Sequence, residues 1–120
     1  MSRPAPGTIL CKLDAISDPG AKGFVFGSGK ERFEMFVVRA RGGLFGYVNA
    51  CPHMGATLDT FPDQFLTSDK ELILCSFHGA QFQIEDGLCI AGPCERRRLT
   101  SIPIEVREGV VSLGYPTLTG

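Results

Sequence analysis

The chain has two histidines, and each lies within three residues of a cysteine. Cys51 and His53 occur in the segment CPHMG, and Cys75 and His78 occur in CSFHG. A glycine closely follows each histidine, which lets a short loop turn sharply and bring backbone N–H groups near a sulfur atom. A thiolate and an imidazole on one such loop reach the same metal centre, and two loops supply four ligands. The sequence therefore predicts a metal site formed by Cys51, His53, Cys75 and His78.

Two metal centres accept two cysteines and two histidines. A structural zinc ion takes all four side chains on one atom. A [2Fe–2S] cluster takes both cysteines on one iron and both histidines on the other. Common zinc sites place like ligands on the same loop, whereas here each loop mixes them. This order favours the cluster and leaves a structural zinc domain, acting as an interaction module, as the alternative from a different functional class.

The two segments resemble the signature of the Rieske iron–sulfur family. That signature is Cys-x-His-x-Gly, a spacer, Cys-x-x-His-Gly and a later Gly-Pro loop, which is Gly92-Pro93 here. The resemblance implies one [2Fe–2S] cluster, bound by the four residues named above and covered on a third side by Pro93. The spacer, residues 54–74, is a few residues longer than in most members, which indicates an enlarged loop.

Short apolar runs alternate with glycine-rich turns, a pattern typical of an all-β sandwich or barrel. We expect strands at residues 8–13, 23–26, 33–40, 44–49, 71–74, 80–84, 99–106 and 110–113. The loop-rich region from about residue 50 to 94 holds both ligand pairs, with at most a helical turn at 56–61. The pattern predicts an antiparallel β base with a small inserted cluster-binding lobe. The Rieske family has that architecture, and we expect residues 1–120 to form one such domain.

Composition and cysteine usage limit the setting of the protein. The chain is 43% hydrophobic and its net charge is −1, which gives no reason to expect nucleic-acid or membrane binding. Residues 1–7 lack the apolar core of a signal peptide, so we expect a cytoplasmic, reducing location. Cys11 is expected to be a small buried side chain. A Cys89–Cys94 disulfide is the minority alternative in such a compartment.

Charge is unevenly distributed around the predicted site. Residues 51–95 contain seven acidic side chains and one basic side chain. An acidic surface near the site would steer a basic partner, although such residues also simply solvate loops. The run ERRR at 95–98 is expected to be a solvated strand entry or a partner-facing rim, because three arginines make a small nucleic-acid footprint.

The sequence departs from the high-potential branch of the family. Rieske proteins of cytochrome bc complexes have a disulfide between the ligand loops, and the matching positions here are Ala56 and Phe77. Those proteins also place a serine and a tyrosine hydroxyl on the cluster sulfurs, where this chain has Ala80 and Phe82. A hydrogen bond to a charged group is worth about 1.5–3 kcal/mol, so each missing bond lowers the potential by roughly 60–130 mV. We therefore expect a potential near the low end of the Rieske range, about −150 mV.

The number of histidines limits the kinds of active site that the chain can form. With both histidines assigned, none remains for the mononuclear iron of an oxygenase, a Ser–His–Asp triad or a haem. We therefore expect no active site and no small-molecule substrate. The resemblance implies a soluble ferredoxin that carries one electron at a time from a reductase to a terminal oxygenase. The alternative within the family is the small Rieske-like subunit of an assimilatory nitrite reductase.

Overall fold

The computed structural model describes residues 4–52, 57–59, 63–76, 79–93 and 96–115. Within them the fold is all-β, as predicted, and two short 3-10 helices, Leu13–Ala15 and Gly29–Glu31, are the helical segments. No helix among the described residues is long and apolar enough to cross a membrane. In chain order the strands are β1 Ile9–Lys12, β2 Gly20–Phe26, β3 Phe33–Ala40, β4 Gly43–Val48, β5 Leu72–Leu74, β6 Gln81–Gln83, β7 Cys89–Ala91, β8 Ser101–Ile102, β9 Ile104–Arg107 and β10 Val110–Leu113.

These strands form three antiparallel sheets. Two sheets, with strand orders β1-β10-β9 and β2-β3-β4-β8, make the base, and the third, β5-β6-β7, makes the lobe. β4 and β8 are hydrogen-bonded neighbours, with Tyr47 opposite Ser101. The chain therefore leaves the base after β4 and returns beside the same strand, and the lobe is the insertion between them. This confirms the predicted architecture.

The bounds of some strands differ from the prediction. β3 and β10 have the predicted bounds, whereas β2 begins three residues earlier, at Gly20. The strand predicted at 99–106 is two strands, because Pro103 lies between them and has no N–H to donate. β7 was not predicted. Residues 57–59, the described part of the predicted helical turn, are not helical.

β3 separates the two buried cores. Its side chains alternate between faces, and Phe33, Met35 and Val37 belong to the core of the base. Phe36 and Val38 belong to a second core, which is shared with the lobe. Burial on both faces explains the nearly unbroken apolar run that identified this strand.

Aromatic rings connect the lobe to the base. Phe36 stacks on Phe65 with ring centroids 4.4 Å apart. The hydroxyl of Tyr47, on β4, donates to the carbonyl oxygen of Ile84 in the lobe at 2.5 Å. Phe33 and Phe36, on β3, are buried, whereas Phe24 and Phe26, on β2, are only partly buried. Cys11 is likewise only partly buried.

Candidate metal centre

The structure places both predicted cysteine ligands in one buried cluster. Cys51 follows the end of β4 and Cys75 follows the end of β5, and their exposed fractions are 3% and 0%. Both belong to the core that the base and lobe share. His53 and His78 lie outside the described residues. The thiol half of the predicted ligand set is therefore gathered in a single region.

A buried asparagine organises the loop that carries Cys51. Asn49 follows β4 and is only 7% exposed. Its side-chain oxygen accepts a hydrogen bond from the N–H of Leu58 at 2.8 Å, and its amide nitrogen donates to Asp59 at 3.0 Å. Its own N–H donates to the carbonyl of Glu34 at 2.9 Å. These bonds fix the departure of the loop from the base.

Backbone hydrogen bonds join the described ends of the second ligand loop. The N–H of Cys75 donates to the carbonyl of Ala80, and the N–H of Gly79 donates to the carbonyl of Cys75, each at 2.8 Å. Gly79 has a φ of +74°, which favours glycine. The N–H of Ser76 donates to the carbonyl of Leu58 at 2.9 Å, so the second loop is bound to the segment that Asn49 holds.

The Gly-Pro loop closes against the second ligand loop. A Cβ atom at Gly92 would lie 2.7 Å from Cα of Ala80. Only glycine permits this approach without a shift of the backbone. Pro93 is exposed. Cys94 lies outside the described residues, and the thiol of Cys89 is buried and contacts the carbonyl of Ala91 at 3.2 Å.

Several carboxylates of the lobe are committed to local contacts. Arg41, in the β3–β4 turn, binds Glu71 at 2.7 Å and also binds Glu85. The hydroxyl of Thr67 and the backbone N–H of Glu71 lower the pKa of Asp69 below its ordinary value. The acidic residues that the sequence counted together are thus divided among separate hydrogen-bonding groups.

The chemistry of the described donors fits a thiolate-bound metal group. Both thiols are buried, and the backbone N–H groups of Cys75 and Gly79 are held by hydrogen bonds within the second ligand loop. Within the described ranges, no three His, Cys, Asp or Glu side chains gather as a metal site. Since both histidines lie outside those ranges, the imidazole half of the ligand set has no described geometry.

A family model for the Rieske [2Fe-2S] domain matches residues 9–108. The chain belongs to this family. A comparison with curated proteins found no match. The match runs from β1 to the end of β9 and includes both ligand loops and the Gly-Pro loop, so it agrees with the family resemblance of the sequence motif.

Solved ferredoxin structures share this fold. The chain is similar to the ferredoxin of carbazole 1,9a-dioxygenase from Nocardioides aromaticivorans IC177, with 20% identity, a TM-score of 0.70 and coverage of 92% of this chain and 98% of the other. It is similar to the Sphingomonas yanoikuyae B1 ferredoxin at 27% identity, with a TM-score of 0.65 and coverages of 90% and 97%. A third match is a chain from a complex of reduced oxygenase and oxidised ferredoxin in carbazole 1,9a-dioxygenase, with 22% identity, a TM-score of 0.69 and coverages of 88% and 90%.

Sequence reasoning missed the residues that support the site. Asn49 was predicted only as the end of a strand, and Leu58 only as part of a loop-rich region with at most a helical turn at 56–61. A buried asparagine beside a ligand cysteine is a usable signal, because a buried amide needs partners. The contact from Leu58 to Ser76 uses only backbone atoms and has no side-chain signature.

Proposed function

We propose that this chain is a Rieske ferredoxin that carries one electron at a time on a [2Fe–2S] cluster. The observation that carries the proposal is the burial of Cys51 and Cys75 in one core, on loops joined by the Leu58–Ser76 hydrogen bond. Family membership supplies the identity of the cluster. The proposal treats residues 1–120 as one domain of a cytoplasmic protein.

In this proposal the four motif residues are the ligands. Cys51 and Cys75 hold one iron as thiolates, and His53 and His78 hold the other as neutral imidazoles. When bound, the cluster accepts and releases a single electron. The protein's part is to exclude water from the thiolates and to fix the two loops.

The buried residues beside the second ligand loop support a low reduction potential. Ala80 and Phe82 are both 0% exposed, and neither side chain has a donor for a sulfur atom. A cluster without those two hydrogen bonds is harder to reduce, which suits transfer from a reductase toward an oxygenase. We place its potential near the low end of the Rieske range, about −150 mV.

We propose a reductase as the electron donor and a terminal oxygenase as the acceptor. The support is the likeness to ferredoxins whose structures are described as parts of carbazole 1,9a-dioxygenase, one of them in complex with its oxygenase. A transfer protein of this kind needs no substrate pocket of its own.

A redox titration followed by electron paramagnetic resonance tests the proposal. We expect two irons and two sulfides per chain, a reduced [2Fe–2S] signal with Rieske anisotropy and a midpoint well below zero. A midpoint well above zero would exclude the low-potential assignment. A colourless protein with one zinc per chain would establish the structural zinc domain instead. Stable association with a nitrite-reducing catalytic subunit would identify the nitrite reductase alternative.

A further inference from the structure

Next to the first ligand loop lies a group of arginines that the proposed function does not use. Arg96, Arg97 and Arg98 are all exposed. The guanidinium of Arg97 donates to the carbonyl oxygen of Pro52, the residue after Cys51, at 3.1 Å. We call Arg96, Arg97 and Arg98 the basic rim.

Backbone pairing fixes the basic rim beside the candidate metal centre. The N–H of Cys89 donates to the carbonyl of Arg97 at 2.8 Å, and the N–H of Arg96 donates back to Cys89 at 3.0 Å. Cys89 belongs to the same buried core as Cys51 and Cys75. The position of these arginines next to the centre is therefore set by the main chain, not by flexible side chains.

Among the residues that the structure describes, no carboxylate forms an ion pair with the basic rim. Described ion pairs in the lobe join Arg41 to Glu71 and Glu85 instead. Asp59 is bound to Asn49 and lines a cavity of about 330 Å³ with Glu34 and Asp63, away from the rim arginines, which do not line it. Within the described residues, the three positive charges of the rim are therefore not neutralised by a carboxylate.

The segments next to the basic rim also carry exposed apolar residues. Pro93 is exposed and Pro52 partly exposed, and Ile90 on β7 is 40% exposed. Protein docking sites commonly combine an apolar centre with a charged margin, and arginine is enriched in them. Three arginines are few for the phosphate contacts on which nucleic-acid binding depends.

We propose that the basic rim is a docking surface for a protein partner that presents carboxylates. This inference rests on the proposed function, because the partner is a redox protein that must approach the metal centre. The proposed docking face is positively charged, whereas the charge count of residues 51–95 predicts an acidic surface near the site.

Inorganic oxidants of opposite charge test the sign of this surface. One electron passes from the reduced protein to ferricyanide, giving ferrocyanide, or to hexaammineruthenium(III), giving the ruthenium(II) ion. Stopped-flow absorbance gives each rate at several salt concentrations. We expect added salt to slow oxidation by ferricyanide and to accelerate oxidation by the ruthenium complex, although the net charge of the chain is −1.

Substitutions then test which arginines attract ferricyanide to the protein. For a trivalent anion about 10 Å away at low salt, loss of one arginine charge corresponds to roughly a three- to fivefold slower reaction. We expect this effect for Arg97→Gln and Arg98→Gln, and nearly unchanged rates for Arg97→Lys, which keeps the charge. The matched control is Arg107→Gln, which changes the net charge equally on β9 of the base and should alter the rate less than about twofold.

Competition distinguishes the possible occupants. We expect a hexaglutamate peptide to slow oxidation by ferricyanide in the native protein but not in the Arg97→Gln/Arg98→Gln variant.

The opposite salt dependence, or equal effects of Arg97→Gln and Arg107→Gln, would overturn the proposal. Stronger inhibition by a single-stranded oligonucleotide than by the peptide would assign the rim to nucleic acid. A protein without a reducible cluster would instead refute the proposed function, and metal analysis detects that case before any rate is measured.

Discussion

The carbonyl oxygen of Leu58 accepts a hydrogen bond from the N–H of Ser76 at 2.9 Å, and this bond joins the two candidate ligand loops. The N–H of Leu58 is held in turn by Asn49. One buried amide side chain therefore connects the end of β4, the segment after Cys51 and the loop that begins at Cys75.

Replacement of Asn49 by alanine should destabilise the protein and loosen the metal centre. The buried N–H of Leu58 would lose its acceptor, which costs about 1–3 kcal/mol. We expect a lower midpoint in guanidinium denaturation and a lower iron content per chain. Gln64→Ala, at an exposed position, is the control. Equal stability of the Asn49→Ala and native proteins would mean that this bond does not hold the loop.

The arrangement of the candidate site was predictable only in part from the sequence, and the reason is physical. Cys51 and Cys75 were predicted as ligands because metal chemistry restricts both residue type and spacing, and the structure buries both in one core. The Leu58–Ser76 bond was not predictable, because every residue has the same backbone donor and acceptor. Its existence depends on how the lobe folds onto the base.

The strands, too, were predictable from the sequence only in part. β3 was predicted with its full bounds, because six of its eight residues are apolar and give a strong pattern. β7 was missed, because Cys89–Ala91 has three residues and is too short for a periodic pattern. Pairing with β6 stabilises β7, and that interaction is not local in the sequence.

Replacement of Tyr47 by phenylalanine should reduce stability at neutral pH and change its alkaline dependence. The buried hydroxyl bonds to Ile84, and a typical hydrogen bond contributes about 0.5–1.5 kcal/mol. Burial, together with the nearby carboxylates of Asp86 and Glu85, raises the pKa of Tyr47 above its ordinary value. The folded protein therefore keeps the phenol proton that the unfolded chain releases above about pH 10.

The pH window follows from the sign of this shift. The stability contributed by the protonated phenol is fully present below about pH 10 and falls above it, by up to about 1.4 kcal/mol per pH unit. We expect the native protein and Tyr47→Phe to differ at pH 8 and to converge near pH 11. Denaturation followed by circular dichroism at both pH values measures this. A constant difference between them would show that Tyr47 does not contribute to the alkaline loss of stability.

Replacement of Gly92 by alanine should destabilise the Gly-Pro loop more than a matched replacement elsewhere. Gly92 and Gly109 both have a positive φ, +101° and +76°, so alanine is strained at either position by roughly 1–2 kcal/mol. The new Cβ at position 92 would collide with the backbone of Ala80. A new Cβ at position 109 would have no atom within 4 Å. We expect an additional loss of about 1–3 kcal/mol for Gly92→Ala, measured by denaturation. Equal losses at the two positions would mean that the loop moves away from Ala80 without cost.

Introduction of hydroxyl groups at Ala80 and Phe82 should raise the reduction potential. Both side chains are fully buried beside the second ligand loop, and the proposed function requires these positions to face the cluster sulfurs. A hydroxyl that donates to a sulfur stabilises the reduced state, which carries one more negative charge. We expect Ala80→Ser and Phe82→Tyr each to raise the midpoint by roughly 60–130 mV, as measured by redox titration.

The matched control is Ala91→Ser, which adds the same hydroxyl group to β7 at a position that the family signature does not assign to the cluster. Its midpoint should lie close to that of the native protein. If Ala91→Ser raised the potential as much as Ala80→Ser, the effect would come from general polarity. If neither Ala80→Ser nor Phe82→Tyr changed it, the low potential would have to arise from the ligands and the solvent exposure of the cluster.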